Sequence, residues 1–129
     1  MACMDGRLAV EDALGLRPGE AHLIRNAGGL ASDDAIRSLV VSQEVLGTEQ
    51  VIVLGHTGCG MLSFRDEAVR RDLAARTGLA LDLPLGAFSD LEGSVRDQVE
   101  RIRAHPWTNA VGIRGLIFEL DSGRLRTVV

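Results

Sequence analysis

The stretch that decides the fold is Val51-Ile52-Val53-Leu54-Gly55-His56-Thr57-Gly58-Cys59-Gly60. Its apolar run at 51–54 is typical of a parallel strand that is buried on both faces of a sheet. The run ends in a glycine-rich turn, where two residues separate His56 from Cys59. Open parallel sheets bind their ligands beyond the carboxyl ends of the strands. We therefore expect an α/β fold with its functional site directly after this strand.

Short β-rich runs alternate with helical patterns on both sides of this stretch, which predicts βαβ units and a mainly parallel central sheet with flanking helices. The predicted elements are a strand at 22–25, a helix from the cap Ser32 to Gly47, a helix at 65–77, a helix from the capping box at 89–92 to His105-Pro106, and a strand at 111–120. A turn at 121–123 predicts a last strand, 124–129, that runs antiparallel to the one before it.

The length of 129 residues suits one domain with one hydrophobic core, and the sequence contains no repeat or linker. We therefore expect a single domain over residues 1–129. Cys3 should end a strand, yet only Met1 and Ala2 precede it, whereas a strand usually needs about five residues. This predicts a first strand that is truncated at its N-terminal end.

Composition excludes several classes of function. The net charge is −4, the chain has one Trp and no Tyr, and nucleic acid is therefore not an expected partner. The sequence contains no apolar run of bilayer length and no signal-peptide pattern at its start, so we expect a cytoplasmic protein without a membrane partner. In a reducing compartment, two cysteines are metal ligands, redox groups or buried thiols rather than a disulfide framework.

The candidate metal ligands are Cys3, His56 and Cys59. A histidine and a cysteine in one turn can reach the same ion, and Cys3 should lie at the same edge of the sheet because it also ends a strand. Two thiolates and one imidazole form a soft ligand set that suits zinc and leaves the fourth tetrahedral position for water. If Cys59 opens a helix, the N–H groups there favour the thiolate form that zinc needs.

These residues also have simpler interpretations. Two cysteines are more often buried free thiols than ligands, and Asp5 with Arg7 would ordinarily be an exposed ion pair that contributes little. The spacing of His56 and Cys59, together with the position of Asp5 and Arg7 beside Cys3, favours a functional site instead.

Four further residues are weaker candidates. Gly28 and Gly29 follow the strand predicted at 22–25, and they fit a simple turn as well as the lining of a pocket. His22 lies within that strand and His105 precedes a proline, so we expect neither histidine to take a direct part in chemistry.

Three motifs resemble those of the β-class carbonic anhydrases. They are Cys3-Met4-Asp5-Gly6-Arg7, Ala21-His22-Leu23-Ile24-Arg25-Asn26-Ala27-Gly28-Gly29 and Gly55-His56-Thr57-Gly58-Cys59-Gly60-Met61. The resemblance continues through 111–129, so it covers nearly the whole chain, and it is strongest to the short prokaryotic branch of the family. It implies that Cys3, His56 and Cys59 bind one zinc ion per chain, and that Asp5 and Arg7 form the adjacent catalytic dyad.

The same resemblance implies that Gly28 and Gly29 line the substrate pocket of a five-stranded α/β fold. It also implies a homodimer or a dimer of dimers, and an N-terminal helical arm for which the residues before Cys3 leave no room. The expected function is the reversible, zinc-dependent hydration of carbon dioxide to bicarbonate and a proton.

Three alternative functions remain open on the sequence. The same scaffold and ligands suit a hydrolase of carbonyl sulfide or carbon disulfide, since these linear molecules are similar to carbon dioxide. The short N-terminus also fits a non-catalytic remnant that binds zinc or bicarbonate. A thiol redox protein fits less well, because Cys3 and Cys59 lack Cys-x-x-Cys spacing.

Overall fold

The computed structural model describes residues 1–109 and 111–129. The strands and α-helices are β1 Ala2–Cys3, α1 Val10–Leu14, β2 Arg25–Asn26, α2 Asp33–Val40, β3 Val51–His56, α3 Asp66–Thr77, α4 Leu91–Arg103, β4 Ile113–Glu119 and β5 Arg124–Thr127. The strands form one sheet in the order β2-β1-β3-β4-β5, in which only the β4–β5 pair is antiparallel. The predicted α/β fold, with a mainly parallel sheet and an antiparallel last strand, is confirmed.

Two predicted elements differ markedly from the structure in their bounds, and one helix was not predicted. The strand expected at 22–25 forms only at Arg25–Asn26, because β1 offers just Ala2 and Cys3 as pairing partners. The helix expected to reach Gly47 is α-helical only to Val40 and continues as one π-helical turn, Val41–Val45. The short helix α1 was not predicted.

The N-terminal caps of α2 and α4 were predicted with unequal success. Ser32 caps α2 as expected, since its hydroxyl accepts a hydrogen bond from the Ala35 N–H at 3.3 Å. The capping box at 89–92 is wrong by one residue: Asp90 is the cap of α4, and its carboxylate accepts from the Glu92 N–H at 3.0 Å. Asp and Ser are both good N-caps, so the sequence Ser89-Asp90 left the start of this helix ambiguous.

One face of the sheet is covered by α2 and α4. Their buried apolar side chains pack on those of β3 and β4; the cluster includes Ile36, Leu39, Val95, Val99, Ile102, Val51, Val53, Ile113 and Ile117. Gly55 and Gly115 permit the close approach of α4, because a Cβ atom at either position would lie within 2.8 Å of a Val95 methyl group. This layer of the core contains none of the candidate ligands among the described residues.

The opposite face of the sheet carries a second apolar cluster. Its buried members are Ala2, Cys3, Leu8, Val10, Leu54, Cys59 and Met61. Leu54 belongs to this cluster and Val53 to the other, as expected when successive side chains of a strand point to opposite faces. Both candidate cysteine ligands therefore belong to this second cluster, where they are buried together with Leu8 and Val10.

The carboxylate of Asp66 anchors the loop between α3 and α4. It accepts hydrogen bonds from three consecutive backbone N–H groups, those of Leu85 at 2.9 Å, Gly86 at 3.0 Å and Ala87 at 2.9 Å. These backbone donors hold the pKa of the Asp66 carboxyl below its usual value, because they stabilise the ionised form. The loop then returns to the second face of the sheet, where the Phe88 N–H donates to the Met61 carbonyl at 3.2 Å.

Across residues 1–109 and 111–129, no helix combines the length and the apolar character that a membrane span requires.

Candidate metal centre

The structure brings Cys3, His56 and Cys59 together at the carboxyl ends of two neighbouring parallel strands. Cys3 ends β1 and His56 ends β3, and the register Ala2↔Leu54 places these two ends side by side. Cys59 follows three residues after His56, at the start of a single 3-10 turn, Gly60–Leu62. One ligand atom from each residue lies within 4.8 Å of the other two, and all three residues are buried. Residues far apart in the sequence therefore converge as their positions at strand ends predicted.

His56 has the tautomer and the free nitrogen that a metal ligand requires. Its side chain is fully buried, and Nδ1–H donates to the Thr57 carbonyl at 2.9 Å. That bond leaves the lone pair on Nε2, which has no hydrogen-bond partner within the described part of the chain. A buried polar atom without a partner is destabilising unless something else satisfies it, and a metal ion would do so.

The two cysteine sulfurs have the spacing of thiolates that share an ion. Cys3 Sγ and Cys59 Sγ are 3.8 Å apart. A disulfide would bring them to about 2.05 Å, whereas two sulfurs bound to one tetrahedral zinc at about 2.3 Å each lie about 3.8 Å apart. The observed separation matches the metal geometry, so this residue set fits zinc.

Burial dominates the electrostatics of Cys59 in the metal-free chain. It raises the pKa of this thiol, and the charge of Cys3 raises it further, while a hydrogen bond from the Met61 N–H acts in the opposite direction. The backbone N–H after Cys59 therefore favours the thiolate as expected, but burial outweighs it. The turn that follows is only three residues long, so its dipole is too small to offset desolvation. A metal cation bound here would supply the missing stabilisation of the thiolate.

Asp5 and Arg7 form a bidentate pair beside this cluster. Arg7 Nε donates to Asp5 Oδ1 at 3.0 Å, Arg7 Nη2 donates to Asp5 Oδ2 at 2.6 Å, and the Arg7 backbone N–H also donates to Oδ1 at 3.0 Å. Arg7 Nη2 reaches the Gly58 carbonyl as well, at 2.9 Å. Arg7 thus ties the segment after β1 to the turn that carries His56 and Cys59.

The carboxylate of Asp5 points towards the metal ligands while Arg7 keeps it ionised. Its Oδ2 atom lies 3.9 Å from His56 Nε2. The hydrogen bonds from Arg7 hold the pKa of Asp5 well below its usual value. Asp5 is therefore a permanent hydrogen-bond acceptor at the edge of the site. The Asp5–Arg7 pair is not a simple exposed ion pair, because the Asp5 side chain is only 18% exposed.

Gly28 and Gly29 lie against the site in different ways. A Cβ atom at Gly29 would be 3.0 Å from both the Ala2 carbonyl carbon and the Cys3 nitrogen, so this glycine packs directly on the backbone that carries a candidate ligand. A Cβ atom at Gly28 would meet side chains instead, Met61 at 3.2 Å and Phe88 at 3.3 Å. Both glycines have positive φ, which the turn requires. Gly28 and Gly29 thus both permit the turn after β2 and pack closely against their neighbours.

Sequence reasoning missed the side chains that hold the backbone around the site. Arg25 donates to the carbonyls of Cys3, Asp5 and Leu8. The Asn26 side chain bridges the Leu30 N–H and carbonyl, each at 2.7 Å. These bonds join residues that are distant in the sequence or lie within an irregular turn, so neither hydrophobic periodicity nor ligand spacing could indicate them.

The other two histidines lie outside the cluster. His22 Nδ1 is 2.8 Å from Ser42 Oγ, on the wall of a separate cavity of about 460 Å³. Among the described residues that line this cavity, the three candidate ligands are absent. His105 packs edge to face against Trp107, with 5.5 Å between ring centroids.

The chain is similar to known proteins in sequence. A protein-family model described as carbonic anhydrase matches residues 1–80. The chain is 43% identical over 129 residues to "Beta-carbonic anhydrase 1" of Mycobacterium tuberculosis strain H37Rv, an alignment that covers 99% of this chain and 79% of the relative. It is also 40% identical over 147 residues to a carbon disulfide hydrolase of Acidithiobacillus thiooxidans, covering 97% of this chain and 73% of that protein.

Solved structures agree with these sequence relatives. A carbonic anhydrase from Streptococcus mutans superposes with a TM-score of 0.94 at 41% identity, covering 99% of this chain and 78% of that one. A carbonic anhydrase from Glaciozyma antarctica gives a TM-score of 0.89 at 40% identity, with coverage of 99% and 79%. Sequence identity at this level, over nearly the full chain and on the same fold, leaves one assignment: the chain belongs to the β-class carbonic anhydrases, a family of carbonate dehydratases.

Proposed function

We propose that this chain catalyses the reversible hydration of carbon dioxide to bicarbonate and a proton, with one zinc ion held by Cys3, His56 and Cys59. The observation that carries the proposal is the convergence of the three ligand atoms within 4.8 Å around a buried imidazole nitrogen that lacks a partner. The family membership supports the same reaction, since the relatives named above include carbonic anhydrases.

The ligand count suits a catalytic centre better than a structural one. Structural zinc sites fill all four tetrahedral positions with protein ligands, whereas catalytic sites use three. Cys3, His56 and Cys59 supply three. When bound, zinc acts as a Lewis acid that makes water a usable nucleophile near neutral pH.

Asp5 would orient the attacking water. As a permanently ionised acceptor 3.9 Å from His56 Nε2, it can take a hydrogen bond from a water molecule held at the site and direct the oxygen lone pair towards the carbon of carbon dioxide. Arg7 has the supporting role of keeping that carboxylate charged and fixing its direction through three hydrogen bonds. Both roles follow from positioning rather than from proton transfer to or from Asp5.

The test is carbon dioxide hydration measured by stopped flow on purified protein, before and after zinc removal by a chelator. We expect hydration by the zinc-loaded protein, loss of it on chelation and recovery on zinc addition. Cys59→Ser should lose both zinc and activity. Ser63→Ala, a nearby control change at a hydroxyl that donates to the local Gly60 carbonyl, should lose neither. A protein that holds zinc but hydrates no carbon dioxide would overturn the proposal, and it would favour a non-catalytic binding protein if it also released no hydrogen sulfide from carbon disulfide.

Carbon disulfide is a second candidate substrate. The carbon disulfide hydrolase of Acidithiobacillus thiooxidans is nearly as similar in sequence as the carbonic anhydrase relatives. Its substrate is linear and apolar like carbon dioxide, and the same ligands would serve both reactions. Release of hydrogen sulfide from carbon disulfide or carbonyl sulfide by the zinc-loaded protein, without carbon dioxide hydration, would favour this candidate.

We also propose that the protein works as a homodimer or a dimer of dimers. Apolar side chains that stay exposed in the single chain support this, notably Val45 at 73% and Leu46 at 60% exposure in the turn after α2. Light scattering on the protein as it elutes from a size-exclusion column should give the mass of two or four chains. A mass of one chain would refute the proposed assembly without affecting the proposed chemistry.

A further inference from the structure

The guanidinium of Arg25 binds three backbone carbonyls of one short segment. Nε donates to the Cys3 carbonyl at 2.9 Å, and Nη2 donates to the Asp5 carbonyl at 2.8 Å and the Leu8 carbonyl at 3.1 Å. The segment 3–8 begins with a candidate metal ligand and contains both members of the Asp5–Arg7 pair. One side chain on β2 thus contacts the backbone on both sides of that pair.

This segment has little regular structure of its own to hold it. After β1 ends, its backbone hydrogen bonds include those from the Met4 N–H to the Asn26 carbonyl at 2.8 Å and from the Leu8 N–H to the Asp5 carbonyl at 3.0 Å. Cys3 and Leu8 are buried, and a buried carbonyl without a donor is destabilising. Arginine suits three separated acceptors, because its five N–H donors are spread over three nitrogens in one plane. The three donors of lysine all lie on one nitrogen.

The residue after Arg25 fixes the neighbouring turn in a similar way. The Asn26 side chain closes residues 27–30 through the Leu30 N–H and carbonyl. That turn carries Gly29, which packs on the backbone of Ala2 and Cys3. Two consecutive residues at the end of β2 therefore hold the two irregular segments that adjoin the ligand cluster.

We propose that Arg25 is a positioning residue of the active site, which holds the backbone of segment 3–8 so that Cys3 and the Asp5 carboxylate keep their places opposite His56. The inference rests on the proposed zinc-dependent function. Arg25 acts through backbone carbonyls, so its influence reaches the site only through the segment that it binds. The family assignment does not by itself give Arg25 this role.

The expected defect is in the alignment of groups rather than in substrate binding. Without the guanidinium, the backbone between Cys3 and Leu8 relaxes, and both the Cys3 sulfur and the Asp5 carboxylate shift relative to His56. Misplacement of a reacting or orienting group by about 1 Å can lower a rate by about a hundredfold. We expect Arg25→Ala to reduce kcat for carbon dioxide hydration by about tenfold to a hundredfold, with KM changed by less than about threefold.

The experiment compares the wild type, Arg25→Ala and Arg25→Lys with the control Arg103→Ala. Arg103 also donates to a backbone carbonyl, that of Ile113 at 3.2 Å, but on the other side of the sheet from the ligand cluster. Each protein is loaded with cobalt(II), whose visible and near-ultraviolet absorption reports thiolate and imidazole coordination. Amide hydrogen exchange at Leu8 in the metal-free protein reports the segment directly. Sub-denaturing guanidinium is then added to Arg25→Ala to replace the missing group.

A positioning role predicts a changed cobalt spectrum, faster exchange at Leu8 and a lower kcat in Arg25→Ala, with partial recovery of all three on guanidinium addition. Arg25→Lys should lie between that variant and the wild type, and Arg103→Ala should match the wild type. An unchanged cobalt spectrum with kcat within twofold of wild type in Arg25→Ala would overturn the role and leave the proposed function intact. If Arg25→Ala fails to fold, the same comparison on Arg25→Lys decides. A wild-type protein that shows no cobalt–thiolate absorption would instead overturn the proposed function, and this role with it.

Discussion

Replacing Gly29 with alanine tests whether the glycine turn after β2 supports the candidate ligand Cys3. Gly29 has a φ of +65°, a conformation that an alanine adopts only with strain. Its Cβ atom would also lie 3.0 Å from the Ala2 carbonyl carbon and from the Cys3 nitrogen, closer than ordinary van der Waals contact. Two destabilising effects therefore act together at this position.

The chain offers a control that separates the strain of a positive φ from the close contact of the added Cβ atom. Gly123, in the turn between β4 and β5, has a nearly identical φ of +67°, and a Cβ atom there would meet nothing within 4 Å. The left-handed conformation destabilises an alanine by about 1–2 kcal/mol, and the lower entropy of the unfolded alanine chain offsets about 0.4–1 kcal/mol of this. Gly123→Ala should therefore lower the free energy of unfolding by about 1 kcal/mol.

Gly29→Ala should cost more, because the contact cannot be relieved by rotating a flexible side chain. Overpacking of this kind costs about 1–3 kcal/mol, which gives a total of about 2–4 kcal/mol for Gly29→Ala. At about 4 °C of melting temperature per kcal/mol for a chain of this size, the control should melt about 4 °C below the wild type and Gly29→Ala about 8–16 °C below it. Because the displaced atoms belong to the peptide bond between Ala2 and Cys3, Gly29→Ala should also bind cobalt(II) more weakly, whereas Gly123→Ala should not.

The assay is thermal unfolding of the metal-free proteins by circular dichroism, followed by cobalt titration of each folded protein at room temperature. Equal losses of stability in the two variants, with equal cobalt affinities, would refute the argument that Gly29 supports the Cys3 backbone. A larger loss of stability in Gly29→Ala with unchanged cobalt affinity would restrict its role to folding.

Two further predictions follow from the ionic contacts. Arg7→Ala should reduce carbon dioxide hydration by about tenfold to a hundredfold with unchanged zinc content, because Asp5 loses its orienting bonds. Stopped-flow rates measure this effect. The control is Arg17→Ala, which removes an arginine that is also paired with a carboxylate, that of Glu20. The stabilisation that Asp66 gives is complete above the ordinary pKa of an aspartate and is lost as pH falls through the lower pKa of the folded state. Asp66→Asn should therefore destabilise the protein at neutral pH and flatten its acid-induced loss of stability. Urea unfolding from pH 7 downwards measures this, and a variant that loses stability with acid as steeply as the control Asp72→Asn would contradict it.

The central strand and its site were predictable because they depend on local patterns and on one topological rule. The run at 51–54 is apolar on both faces, as a strand between two covered faces must be. Cys3 and His56 were expected to meet because both end parallel strands, and the β1–β3 register places them so. Neither expectation required knowledge of any contact between side chains.

The features that sequence reasoning missed depend on tertiary contacts. The contact between Arg25 and the carbonyls of segment 3–8 joins a strand end to an irregular segment some twenty positions away. No periodicity marks such a contact, and an arginine in a strand is ordinarily assigned to the surface. The net rise in the pKa of Cys59 was missed for a similar reason, since it depends on burial by residues from other elements. The start of α4 was misplaced because two good capping residues stand side by side.

The most direct test of the metal centre is anomalous X-ray diffraction from crystals of the zinc-loaded protein, with data collected on both sides of the zinc absorption edge. We expect one anomalous peak per chain, about 2.3 Å from the sulfurs of Cys3 and Cys59 and about 2.0–2.1 Å from His56 Nε2. A crystal in which these three atoms surround no anomalous peak, or in which zinc lies on other residues, would contradict it.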